Sequence, residues 1–96
     1  MKVRFTDSAR SDIDQILSCI HVDNPTATMA VSSAIKAAVG RLKTFPGLGA
    51  RTDRPDIFMM IARPYHYLIF YGVTDNTLVI RSVRHPARQR SPSDQA

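Results

Sequence analysis

The residues best suited to chemistry cluster near the C-terminus, where Arg81, Arg84, Arg88 and Arg90 surround His85, with Arg63 and His66 upstream. Guanidinium groups bind phosphate or carboxylate bidentately but hold their protons too tightly to act as acids or bases. Histidine titrates near neutrality and can carry a proton. One chemistry open to this set is RNA cleavage, in which a 2′-hydroxyl attacks its own phosphate. Arg63, Arg81 and Arg88 would then stabilise the charged phosphorus centre, and His85 or His66 would move protons. The other reading is non-catalytic: Arg81, Arg84, His85, Arg88 and Arg90 form a basic edge facing the acids of another protein. All eight acids are Asp and the chain contains no Glu, so any mechanism that needs a glutamate base is excluded. His21, His66, His85 and the single Cys19 have no metal-binding spacing. Gly47-Leu48-Gly49 lacks the following helix and lysine of a phosphate loop. Neither metal nor cofactor is expected.

The elements that must position these side chains read as follows. Lys2 to Thr6 alternates, which predicts a short strand with Val3 and Phe5 turned inward. Asp7 or Ser8 then caps a helix whose apolar stripe is Ala9, Ile13, Ile16, Leu17 and Ile20. Asn24-Pro25 is a helix start, with Asn as cap and Pro in the first turn. Ala27, Val31, Ala34, Ile35, Ala38, Leu42 and Phe45 form the stripe of the second helix, which Pro46 ends. Cys19, inside a helical apolar pattern, reads as a packing residue. From Ile57 the period changes to strands over 57–61, 65–73 and 78–85, with turns at Arg63-Pro64 and Asp75-Asn76. The fold class is α+β, order β-α-α-β-β-β, with a helical hairpin on one face of a small, mainly antiparallel sheet.

The central strand decides how the surface is read. Residues 65–73 are apolar or aromatic on both faces, so both faces need cover. The helical hairpin covers one, and nothing else in so short a chain is expected to cover the other. Tyr65, Tyr67 and Tyr71 share one parity and are placed on the open face, because tyrosine tolerates a half-wet contact surface. An open apolar face of that kind is an interaction site.

The chain has 96 residues, 44% of them hydrophobic, and a formal net charge of +5, with ten Arg among its 13 basic residues. One domain over 1–90 is expected, with a loose polar tail at 91–96. The lone cysteine fits a reducing compartment, and no apolar run approaches a membrane span, so a cytoplasmic location is expected.

Several phrases, in order, carry a resemblance: Ala9 with Asp12-Ile13, Asn24-Pro25-Thr26-Ala27-Thr28, Leu42 to Gly49, Tyr65 to Tyr71, and Ile80 to Arg88. Over residues 2–90 the chain resembles the RelE/ParE superfamily of bacterial type II toxins, and within it ParE. That resemblance implies a toxin held inactive by a ParD-like antitoxin in a hetero-oligomer. Its apolar anchors would use Ile13, Leu17 and the tyrosine face of Tyr65, Tyr67 and Tyr71. ParE-type toxins poison DNA gyrase, whereas RelE-type toxins cut mRNA in the ribosome. RelE-like ribonucleases carry an arginine three residues before the central tyrosine, where this chain has Leu68. Those of the YoeB type use a Glu, absent here, and their catalytic histidine would align near Pro86 rather than His85. The implied function is therefore gyrase inhibition by protein contact, without catalysis or sequence-specific nucleic-acid binding, with RelE-type mRNA cleavage as the alternative.

Overall fold

The structure, a computed structural model, describes residues 1–85, the side chains of residues 21–23 excepted. Its elements are β1 (Lys2–Phe5), α1 (Asp7–Asp23), α2 (Pro25–Thr44), a 3-10 turn (Pro46–Leu48), β2 (Ala50–Arg51), β3 (Phe58–Ala62), β4 (Tyr67–Thr74) and β5 (Thr77–Arg84). The strands lie in the order β1-β5-β4-β3-β2, with β1 parallel to β5 and the other pairs antiparallel. Both helices pack on one face of this sheet, giving the expected α+β architecture. β2 is the element the sequence reading lacked. The tail at 91–96, with Arg88 and Arg90, lies outside the described residues.

Local chemistry accounts for the boundaries. Thr6, rather than Asp7 or Ser8, caps α1: its hydroxyl accepts from the Ala9 N–H at 3.1 Å. Asn24 ends α1 and caps α2 through the Ala27 N–H, also at 3.1 Å, with Pro25 in the first turn. Only Asn24 separates the helices, so they form a tight hairpin. Asp75 and Asn76 both adopt positive φ, the condition for a two-residue hairpin turn that matches strand twist.

Ala9, Ile16, Val31, Ile35, Ala38 and Leu42 meet Tyr67, Ile69, Tyr71, Leu78 and Ile80 in a single core. Ile13, Leu17 and Ile20 are half-buried against it. Two expected packing residues are instead exposed: Cys19, and Phe45, which stands past the last turn of α2 at 61% exposure.

β5 contains a bulge. Phe70 pairs with Ser82 and Tyr71 with Ile80, so Arg81 is the extra residue. Before it, Leu78 and Ile80 face the helices; after it, Val83 does. The backbone groups around the bulge are taken up by α1. The Thr6 hydroxyl donates to the Arg81 carbonyl at 2.9 Å, and the Val83 N–H donates to the Asp12 carboxylate at 3.0 Å. The helix start thus fixes the strand irregularity that turns Arg81 outward.

Candidate functional site

Strand parity settles which face of β4 is open, and it reverses the expectation. Tyr67 and Tyr71 are buried at 4% and 0% exposure within the helix-facing core, while Phe70, of the opposite parity, stays half-exposed. Tyr65 precedes the strand, in the turn after Ala62, and is exposed. The three tyrosines therefore form no common surface. Both rings join the core formed with the apolar stripes of the two helices. The Tyr71 hydroxyl also has work there, donating to the Pro46 carbonyl at 2.7 Å and accepting from the Gly49 N–H at 2.9 Å. Burial pushes its pKa up from 10.0, and the Gly49 N–H draws it partly back.

The helix-free face is not wholly open either. The 52–57 loop folds toward it, held by the Thr52 hydroxyl, which donates to the Ile57 carbonyl at 2.8 Å and accepts from the Arg54 N–H at 3.1 Å. The Asp56 carbonyl comes so close to Gly72 that a Cβ there would meet it at 2.9 Å. A side chain at position 72 would push the loop away. The expectation that nothing else in the chain covers this face is corrected by that loop.

Between the loop and the sheet lies a cleft of about 420 Å³ lined by Thr52, Asp53, Arg54, Ile57, Phe70, Arg81, Ser82 and Arg84. Three guanidinium groups face one carboxylate, which makes the cleft a receptor for anions. Two of the arginines picked out in the sequence, Arg81 and Arg84, meet here. Arg54 joins them and was missed. Its segment, Arg51 to Pro55, shows charge but no period that assigns a face.

The remaining candidates are dispersed. His85 stands edge-on to Tyr67, ring centroids 5.2 Å apart at 77°. It borders a small hollow with Asp12, Gln15 and Ile16 of α1. Arg63 and His66 share the turn before β4, where the Arg63 guanidinium lies 3.3 Å from His66 Nε2. The two histidines engage different neighbours, and Arg63 is absent from the described lining of the arginine cleft. On the helix side, Ile13 lines an apolar groove of about 360 Å³ with Val3, Phe5, Ile35 and Val39. Leu17 packs on the core instead of lining it. No helix among the described residues is long and apolar enough to cross a membrane.

Comparisons with known proteins agree with this fold. The family model described as "ParE toxin of type II toxin-antitoxin system, parDE" matches residues 3–90. No curated protein matches at a significant level. Among solved structures, a chain of the chromosomal ParDE system from P. aeruginosa superposes with TM-score 0.78 at 18% identity, covering 88% of this chain and 95% of that one. A chain of the RelBE2 toxin-antitoxin complex from Mycobacterium tuberculosis gives TM-score 0.57 at 31% identity, covering 90% and 91%. A conserved hypothetical protein from Helicobacter pylori gives 0.60 at 15%, covering 91% and 96%. The chain belongs to the ParE family of type II toxin-antitoxin toxins, within the RelE/ParE superfamily.

Proposed function

We propose that this toxin inhibits DNA gyrase by protein–protein contact and is neutralised by a ParD-like antitoxin. The observation that carries this is the composition of the cleft. Arg54, Arg81 and Arg84 can grip acidic side chains, yet none of its described lining residues is a histidine that could move a proton. The proposed target contacts are Arg81, Arg84 and Arg54 of the cleft, together with His85 and with Arg88 and Arg90, which lie outside the described residues. Ile13 and its groove, Leu17 and exposed Tyr65 remain the proposed antitoxin contacts. Tyr67 and Tyr71 drop out because the chain's own helices cover them. Action on gyrase places the protein in the cytoplasm, in a hetero-oligomer until released.

A RelE-type reading has one specific support, the 31% identity with a chain of the RelBE2 complex. Under it the same arginines would bind phosphate. One experiment separates the two. Purified toxin is added to a gyrase supercoiling and cleavage assay, and in parallel to translating ribosomes with primer extension on the message. Loss of supercoiling with intact mRNA is the expected result. Codon-phased cuts with unaffected gyrase would overturn the proposal.

A further inference from the structure

The helix-free side of the sheet carries cations beyond the cleft. Val3 and Phe5 of β1 pack against the core and line the apolar groove with α1 and α2. Alternation along a strand therefore turns Lys2 and Arg4, both exposed, to the helix-free face. The register agrees: Arg4 pairs with Val79, which lies between the helix-facing Leu78 and Ile80. From Val79, β5 runs on to Arg81 and Arg84, which line the cleft with Arg54. Five cations thus share one face: Lys2, Arg4, Arg54, Arg81 and Arg84. Asp53 and Asp56 of the covering loop oppose them there, whereas Asp7, Asp12 and Asp14 belong to α1 on the other side.

At about 3.3 Å per residue, Val79 to Arg84 spans roughly 15 Å, too far for one carboxylate or phosphate to bridge. A nucleic-acid backbone and an acidic protein patch both offer anions over that length, and apolar content separates them. A protein interface is anchored by a few large aromatic or aliphatic side chains. Among the described residues, the exposed ones are Met29, Phe45, Leu48, Tyr65 and Val73, and none belongs to β1, β5 or the 52–57 loop. A phosphate backbone needs only distributed cations. Single strands are held on aromatic platforms for successive bases, and Phe70 is the one aromatic residue of the described cleft lining. A duplex, with a phosphate every ~3.4 Å of axis on each strand, asks for no such platform.

We propose that the helix-free face binds the phosphate backbone of duplex DNA without sequence preference. Lys2 and Arg4 extend the cleft arginines into one phosphate track. The inference rests on the gyrase reading for its purpose and deepens it: gyrase holds a DNA duplex, so the toxin would contact enzyme and DNA together. The binding itself can be measured without gyrase.

The full chain is titrated into two fluorescent DNA duplexes of unrelated sequence, and anisotropy is followed from about 50 to about 200 mM salt. Equal affinity for both is expected, with log K falling against log salt at a slope of about −4.5, as about five phosphate contacts require. Lys2→Gln with Arg4→Gln should make the slope shallower by about two and weaken both complexes about tenfold. Lys2→Arg with Arg4→Lys keeps both charges and should retain binding. Lys43→Gln, a neutralisation in the last turn of α2, should leave the slope unchanged. Circular dichroism checks folding, and if the double variant unfolds, Arg4→Gln alone should make the slope shallower by about one. An unchanged slope in the β1 variant overturns the inference. So does a marked preference for one sequence, for single strands or for an RNA duplex. Polyglutamate that competes as well as DNA does marks a protein-directed surface and also overturns it. A toxin that inhibits supercoiling but binds no duplex overturns the inference and leaves the gyrase reading standing. Duplex binding with the expected slope but no inhibition supports the DNA face and overturns the gyrase reading.

Discussion

The Thr6 hydroxyl and the Arg81 carbonyl, 2.9 Å apart, tie the first helix to the bulge that carries the cleft. The same hydroxyl accepts from the Ala9 N–H and so caps α1. Thr6→Ala should remove both bonds and cost about 1–2 kcal/mol in urea unfolding. Thr6→Ser keeps the hydroxyl and should recover most of that loss.

Asp12 provides a second clamp on the same bulge through the Val83 N–H. Asp12→Ala leaves that half-buried donor without its acceptor, and a loss of about 1–3 kcal/mol is expected. Asp12→Asn retains a carbonyl oxygen at the position and should lose less. Because Arg81 depends on the bulge, toxicity at a fixed expression level should fall in the order of these stabilities.

Tyr71 links stability to alkaline pH. Its folded pKa is raised by burial, so above the unfolded value of 10.0 the unfolded chain gives up its proton first. The contribution is complete below pH 10.0 and declines as pH rises toward the raised folded value. Urea melts across that range should show stability falling with pH, and Tyr71→Phe should flatten the fall. At neutral pH that variant strands the Gly49 N–H and the Pro46 carbonyl, and a loss of about 1–3 kcal/mol is expected.

Gly49 has an ordinary extended backbone, but a Cβ there would collide with the Tyr71 hydroxyl and with its ring carbons at 2.6 and 2.8 Å. Gly49→Ala should therefore cost about 1–3 kcal/mol through displaced packing. Gly47→Ala, whose new Cβ meets nothing within 4 Å, should be close to neutral by comparison.

Charge reversal in the cleft, Arg81→Glu with Arg84→Glu, should abolish toxicity while the thermal melt stays near that of the parent, since both side chains are exposed. Arg54→Glu should weaken it partially. On the proposed reading, inhibition of gyrase should also decline as salt is raised. His85→Ala should lower toxicity only modestly, as loss of one edge contact would, whereas loss of a proton-transfer group would cost about a hundredfold or more.

The sequence by itself determined every element except β2, and their order, because the signals are local. Asn24-Pro25 starts a helix, Pro46 stops one, and Asp75-Asn76 turns a hairpin, whatever surrounds them. It placed Arg81 and Arg84 on one strand, where a regular period of two would turn residues three apart to opposite faces; the bulge lets both line the cleft. Tertiary structure alone decided which side of β4 meets the helices. That strand is apolar on both faces and offers no alternation to read, so Tyr67 and Tyr71 could be assigned only once the space beneath them was known. It decided the bulge at Arg81 as well, since the groups that satisfy it, on Thr6 and Asp12, lie more than seventy residues away. And it brought Arg54 to the cleft, because an aperiodic loop acquires a face only when it folds onto one.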